Sequence, residues 1–141
     1  MAIQQTLTTQ FKYNLFLGVE DFSTGSYKIA LYTPAATIDS TTTAYTSQGE
    51  ITGAGYTAGG KTLIVIGPSS DASTNTAYVS FQDVSWTTSN FTASGALIYN
   101  AGTGASICVL SFGGIKTTSP AGTFPITFPA NNSTSAVIRI S

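Results

Sequence analysis

Residues 55–68 read Gly-Tyr-Thr-Ala-Gly-Gly-Lys-Thr-Leu-Ile-Val-Ile-Gly-Pro, and two folds compete for them. Gly55 to Thr62 fits the phosphate-loop pattern G-x-x-x-x-G-K-[ST] letter for letter. That loop works because a helix follows it, and the helix N-terminus and stacked backbone N–H groups cradle the phosphates. Here Leu63-Ile64-Val65-Ile66 follows, a short run rich in β-branched residues that Gly67-Pro68 halts. Such a run prefers a strand. No later apolar strand ends in an aspartate placed to hold magnesium. The block therefore reads as a glycine-rich β-turn feeding a buried strand over Thr62–Ile66, with Lys61 in solvent. An α/β nucleotide fold gives way to an all-β one.

The flanking sequence agrees. Tyr27–Thr33 (YKIALYT) alternates apolar with mixed residues and stops at Pro34. The Thr/Ser-rich stretch Ala35–Tyr45 reads as a loop, and Thr46–Ile51 as a short strand. Ala77–Phe81 is another. Val84 and Trp86 are followed by Phe91 around a polar Thr87-Thr88-Ser89-Asn90 turn. Ala96–Tyr99, Ser106–Phe112, Phe124–Phe128 and Val137–Ile140 complete about eight or nine short strands between Gly, Ser, Asn and Pro turns. This pattern predicts a mainly β, single-domain chain over 1–141, a sandwich, jelly roll or barrel. Pro125 and Pro129 flank Ile126–Phe128; proline cannot donate to a sheet ladder, so that strand is expected at an edge or with a bulge, open to pairing with a sister subunit. One helix is expected, about 9–22. Phe11, Leu15, Gly18, Val19 and Phe22 fall at helical spacing, Thr8 or Thr9 serves as N-cap, and Ser23-Thr24-Gly25-Ser26 ends it.

The chain has 141 residues, enough for a core without staples. Only 8% of residues are charged, against a usual ~25%. Thr, Ser, Gly and Ala replace them, giving a surface with little repulsion to keep copies apart. Net charge is −1, and the five cations Lys12, Lys28, Lys61, Lys116 and Arg139 are scattered. No basic stripe marks a nucleic-acid partner, and no apolar run approaches the ~20 residues of a membrane helix. Residues 1–10 lack the charged and apolar regions of a secretory signal, so synthesis in a cytoplasm is expected.

Catalytic constellations fail for want of parts. There is no histidine and a single cysteine, Cys108, so Ser-His-Asp, Cys-His and structural zinc arrangements have no components. Cys108 lies in the apolar run Ser106–Phe112 and reads as a small buried hydrophobe. Glu50 and Asp83 could face each other as a glycosidase pair, but nothing singles them out among Glu20, Asp21, Asp39, Glu50, Asp71 and Asp83. Asp71, Asn75 and Asp83 could approach as calcium ligands, without an EF-hand loop. Trp86 with the tyrosines could form a sugar-stacking platform, although core packing is the commoner use. Asn90-Phe-Thr and the Asn131-Asn132-Ser133-Thr134 stretch hold sequons expected by chance in such a chain. The expectation is no catalytic, cofactor-binding or metal residues, and no enzyme.

Several blocks together resemble a family of small tailed-phage and prophage virion structural proteins. They are Phe11-Lys12 through Leu17-Gly18-Val19, Tyr27–Thr33, Thr46–Gly60 (TSQGEITGAGYTAGG) with Lys61-Thr62-Leu63, Val84-Ser85-Trp86, Phe91–Asn100, Val109–Gly113, Phe124–Ala130 and Ile138–Ile140. The match runs through nearly the whole chain in order. It implies a β-rich oligomeric virion component with no catalytic residues, whose partners are the major capsid protein or other virion proteins. Such proteins serve as capsid decoration (cement), as neck or tail components, or as fibre bases. A compact, nearly neutral domain suits decoration, where modest contacts multiply over many equivalent sites, and a trimer suits a capsid three-fold axis. The expected location is the virion, on the capsid surface. The alternatives are a neck, tail or fibre-base protein, and a carbohydrate-binding module for host recognition.

Overall fold

The computed structural model describes residues 3–141. Among the described residues there are ten strands and one helix: β1 (Thr6–Leu7), α1 (Thr9–Leu17), β2 (Tyr27–Tyr32), β3 (Lys61–Leu63), β4 (Val65–Asp71), β5 (Thr76–Phe81), β6 (Val84–Ser89), β7 (Thr92–Asn100), β8 (Ser106–Thr117), β9 (Gly122–Ile126) and β10 (Ile138–Ile140). All pairings are antiparallel. A five-stranded sheet has the order β1-β8-β7-β2-β3; a three-stranded sheet is ordered β10-β5-β4, and a third holds only β6 and β9. The main core joins one face of the large sheet (Ile29, Leu31, Ala96, Ile98) to Val79, Phe81, Trp86, Phe124 and Ile138 of the two small ones. This is the sandwich-like mainly β fold expected from the sequence.

Strand periodicity explains the near-total burial of β2 and β7. Successive side chains point to opposite faces, so Ile29 and Leu31 enter the main core while Ala30 and Tyr32 enter a second cluster with Leu97, Tyr99 and Val109. The segment after Pro34 closes that second face through Ala36 and Ile38, both buried. The Thr/Ser-rich stretch is thus a loop, as read, and also a cover for the sheet.

Some boundaries differ from the reading. The helix ends at Leu17, because Gly18 takes a left-handed conformation (φ 71°) and its N–H and that of Val19 close on Leu15 and Asn14 carbonyls. Thr8 is the N-cap, accepting from the Phe11 N–H at 3.2 Å. Phe22 still reaches the core, but from the loop, stacking on Tyr27 at 4.5 Å. Thr46–Ile51 is no strand; it touches the sheet through a Tyr32–Glu50 bridge. The run 62–66 does not stay in one strand: β3 belongs to the large sheet, Ile64 turns outward, and β4 opens the three-stranded sheet. That strand continues through Gly67-Pro68, a cis bond, with a register shift between Ile66 and Ser69. β6 extends through the supposed turn to Ser89, whose buried hydroxyl donates to the Gly122 carbonyl at 3.0 Å. The segment Ile126–Phe128 between the two prolines is not the strand: β9 runs Gly122–Ile126 with Pro125 inside it and stops before Thr127, and it pairs with β6 alone across an irregular register, the edge position expected of a proline-bearing strand.

Candidate functional site

The glycine-rich block folds around a carboxylate of its own chain. Glu50 Oε1 accepts from the Tyr56 hydroxyl at 2.5 Å and the Gly59 N–H at 2.7 Å, while Oε2 accepts from Tyr45 at 2.6 Å. Tyr56 in turn accepts from the Leu31 N–H at 3.0 Å, and Tyr99 donates to the Gly59 carbonyl at 2.6 Å. The loop is therefore tied to both β2 and β7. Gly60 has φ +78°, and a Cβ there would overlap the Ile29 carbonyl, so this close approach admits glycine only. The Gly59 N–H, which a phosphate loop would aim at a ligand, is already spent on Glu50. β3 follows where a phosphate loop needs a helix.

Tyrosine acidity follows from this packing. Burial, then the Glu50 hydrogen bond, pushes Tyr45 up to about 12. Tyr56 and Tyr32 are pushed higher, by burial first and then by Glu50. Tyr27 is likewise raised by burial and by its bond to Glu20. Glu20 also accepts from the Asn100 side chain at 2.9 Å, pinning the chain after α1 against β7.

The residues considered for chemistry do not assemble into a site. Lys61 is exposed; its Nζ donates to the Ser85 carbonyl at 2.6 Å and lies 5.7 Å from the Trp86 ring centre. Trp86 is 1% exposed, packed among Tyr56, Phe91 and Phe124, so it offers no face for a sugar. Asp71 is held well below the usual carboxylate range, at about 2, by the hydroxyls of Ser73 and Ser133. Asp83 accepts the Phe128 N–H at 2.8 Å. Among the described residues, no group of three His, Cys, Asp or Glu side chains could hold a metal ion. Glu50, the other half of the supposed glycosidase pair, serves the tyrosine network. Cys108 is buried, and burial alone pushes its thiol up to about 12.

The surface carries an apolar face that the sequence reading left unnamed. Phe16 is 93% exposed, and Tyr13, Leu17 and Val19 are each more than half exposed. Tyr13, Phe16 and Leu17 stand at i, i+3 and i+4, so they share one face of α1; Val19 follows just past its cap. Together they form an exposed, largely apolar face of the kind that marks an interaction surface. Phe16 and Leu17 already fall outside the expected stripe of Phe11, Leu15, Gly18 and Val19, and that spacing is the signal that marks them. Gly18 corrects Val19, which lies past the cap and is exposed instead of core-facing. Among the described residues no helix is long and apolar enough to cross a membrane.

No protein-family model, curated protein or solved structure matches the chain.

Proposed function

We propose that this chain is a non-enzymatic structural subunit of a tailed-phage particle, a decoration protein seated on the capsid surface and bridging neighbouring capsomers. The observation that carries the reading is the apolar face of α1 around Phe16, where four exposed apolar side chains gather, whereas the other exposed large hydrophobics, Ile64, Ile66, Ile115 and Ile140, lie on strands β4, β8 and β10 or between them. Water-exposed phenylalanine on an ordered helix is what a subunit leaves for a neighbour to cover. With 8% charge there is little like-charge repulsion against crowding many copies on one shell. The resemblance of the sequence to small virion proteins points the same way. The partners in this reading are the major capsid protein and sister copies, with a trimer on the three-fold axis. Burial of Trp86 removes the residue on which a host-glycan module would have rested.

The test is add-back. Particles assembled without the chain are incubated with the purified protein, and their resistance to heat or chelator is followed with the amount bound. Binding that saturates at a multiple of the capsomer number, with a stabilised shell, is expected. Burying Phe16 is worth ~1.5–3 kcal/mol, so Phe16→Asp should weaken each site at least tenfold. Binding confined to the portal vertex or tail would replace decoration with a neck, tail or fibre-base role. No association with any part of the particle would remove the virion reading altogether.

A further inference from the structure

β8 and β9 leave the turn at 118–121 for different sheets, and a groove of about 670 Å³ opens between them. It is not built to take a strand. β8 bulges between its pairings at Ser111 and Lys116, with Gly113 and Gly114 at positive φ, and Pro125 removes a donor from β9. What it offers is a socket for side chains. Leu110, Phe112, Pro125 and Val137 give it an apolar lining, and each keeps part of its surface in water. Lys116 and Arg139 stand exposed at its rim, while none of the six Asp and Glu side chains lines it. The complementary feature, a knob, stands on α1. Phe16 is 93% exposed, with Tyr13 and Leu17 beside it. Asp21 follows in the next turn, exposed. Its carboxylate accepts three hydrogen bonds from Ser23 and Thr24, and a carboxylate has about four acceptor positions, so it can still take a cation from outside. Knob and socket do not meet within one chain. Thr6 and Leu7 pair with Val109 and Cys108, and the Thr8 N–H donates to the Ile107 carbonyl, so α1 starts beside the beginning of β8. The socket lies along 110–118, farther down that strand, and no α1 residue lines it.

We infer that copies of this chain dock head to tail, α1 of one in the β8–β9 groove of the next, with Phe16 entering the apolar lining and Asp21 meeting Lys116 and Arg139. Exposed apolar faces of this kind mark interaction surfaces, and here one chain carries both halves of the fit. Charge sets the orientation. Lys12 lies one turn before Phe16 and Asp21 lies beyond the other end of the helix. The groove holds two cations and no carboxylate, so the Asp21 end of α1 lies at the cationic rim and Lys12 lies away from it. Pairing α1 with α1 would cover Phe16 but leave the groove empty and give Lys116 and Arg139 no partner. The contact is heterologous: each copy offers one knob and one socket. Assembly therefore passes beyond two copies and closes into a ring where the rotation between copies allows, as the proposed trimer requires. The inference rests on the reading of the α1 face as an interface and names the partner that covers it.

The experiment uses the full chain in three forms: the parent; Phe16→Asp, which spoils the knob; and the double variant Lys116→Glu, Arg139→Glu, which repels Asp21 from the socket. The substituted side chains are all exposed, so urea midpoints should match the parent, and loss of assembly cannot then arise from unfolding. Sedimentation velocity should show the parent associating past the dimer as its concentration rises. Each variant alone should associate at least tenfold more weakly. Mixed in equal amounts, the two variants should form a one-to-one dimer and nothing larger, because the intact knob of one fits the intact socket of the other and both leftover surfaces are spoiled. Asp21→Lys added to the double variant should restore its self-association. A mixture that stays monomeric, or a parent that does not assemble, would overturn the inference. Loss of assembly in Phe16→Asp while the double variant assembles like the parent would also overturn it, in favour of α1 pairing with α1. Add-back to particles is a separate assay, so the virion reading holds or fails there whichever of these results is found.

Discussion

Replacing Glu50 with alanine removes the acceptor on which the loop 53–60 is hung. Three donors lose their partner at once: the hydroxyls of Tyr45 and Tyr56 and the Gly59 N–H. A hydrogen bond to a charged group is worth ~1.5–3 kcal/mol. Tyr45 can turn to water, so its share is discounted, and the other two donors set a cost of about 3–6 kcal/mol. Against a total stability of ~5–15 kcal/mol that loss is large, and it lowers Tm by roughly 10–20 °C in a chain of this length. Glu50→Gln separates charge from shape. Its carbonyl still serves Tyr56 and Gly59, and Tyr45 rotates its hydroxyl to accept from the amide, so about 1 kcal/mol is expected. The assay is urea unfolding followed by fluorescence of Trp86, the sole tryptophan, whose ring lies 6.0 Å from that of Tyr56. An alanine variant within about 0.5 kcal/mol of the parent, at an unchanged m-value, would refute the assignment of this carboxylate as the anchor of the loop.

Other consequences follow from the same packing. Tyr27, Tyr32, Tyr45, Tyr56 and Tyr99 all have raised folded-state pKa values, chiefly from burial and then from carboxylate neighbours. The unfolded chain ionises its tyrosines near 10. The stabilisation is therefore complete below about pH 10 and is lost as the pH rises from there through the folded values; tyrosinate absorbance should appear together with unfolding, whereas five tyrosines titrating near 10 in an intact fold would contradict the burial argument. Cys108 should resist an aromatic disulfide reagent in the native state and react at once in denaturant, since its thiol is both covered and raised to about 12. Lys61→Ala should cost under about 1 kcal/mol, the worth of an exposed cation–π contact, and calorimetry with ATP should show no heat of binding for either protein; nucleotide binding lost on this substitution would revive the phosphate-loop reading.

The sheet architecture was legible because the strands obey a period of two between strong breakers. Tyr27–Tyr32 is the clearest case: both of its faces are apolar, and both are buried. A threonine cap at Thr8 or Thr9 was legible, and the structure takes Thr8; the prolines marked an edge strand, although its bounds, Gly122–Ile126, fall earlier than Ile126–Phe128. What escaped depended on partners distant in sequence. Glycine 18 fits a helix stripe as well as it fits a cap, and only the closure of its N–H on the turn before decides between them. In the Thr46–Ile51 segment only Thr46 and Ile51 favour a strand, and Glu50 is drawn to Tyr45, Tyr56 and Gly59 instead of to a ladder. Ser89 looks like a turn residue until Thr118 and Gly122 arrive to satisfy its hydroxyl. The parting of β8 and β9, adjacent in the chain, into different sheets had no local sequence signature.

The most direct test of the proposed role is a cryo-EM reconstruction of the intact particle with this chain traced in the density. The account predicts regular copies on the outer shell, bridging capsomers, with Phe16 and its neighbours on α1 covered by another subunit. A particle without the chain, or copies whose α1 face remains in open solvent, would contradict it.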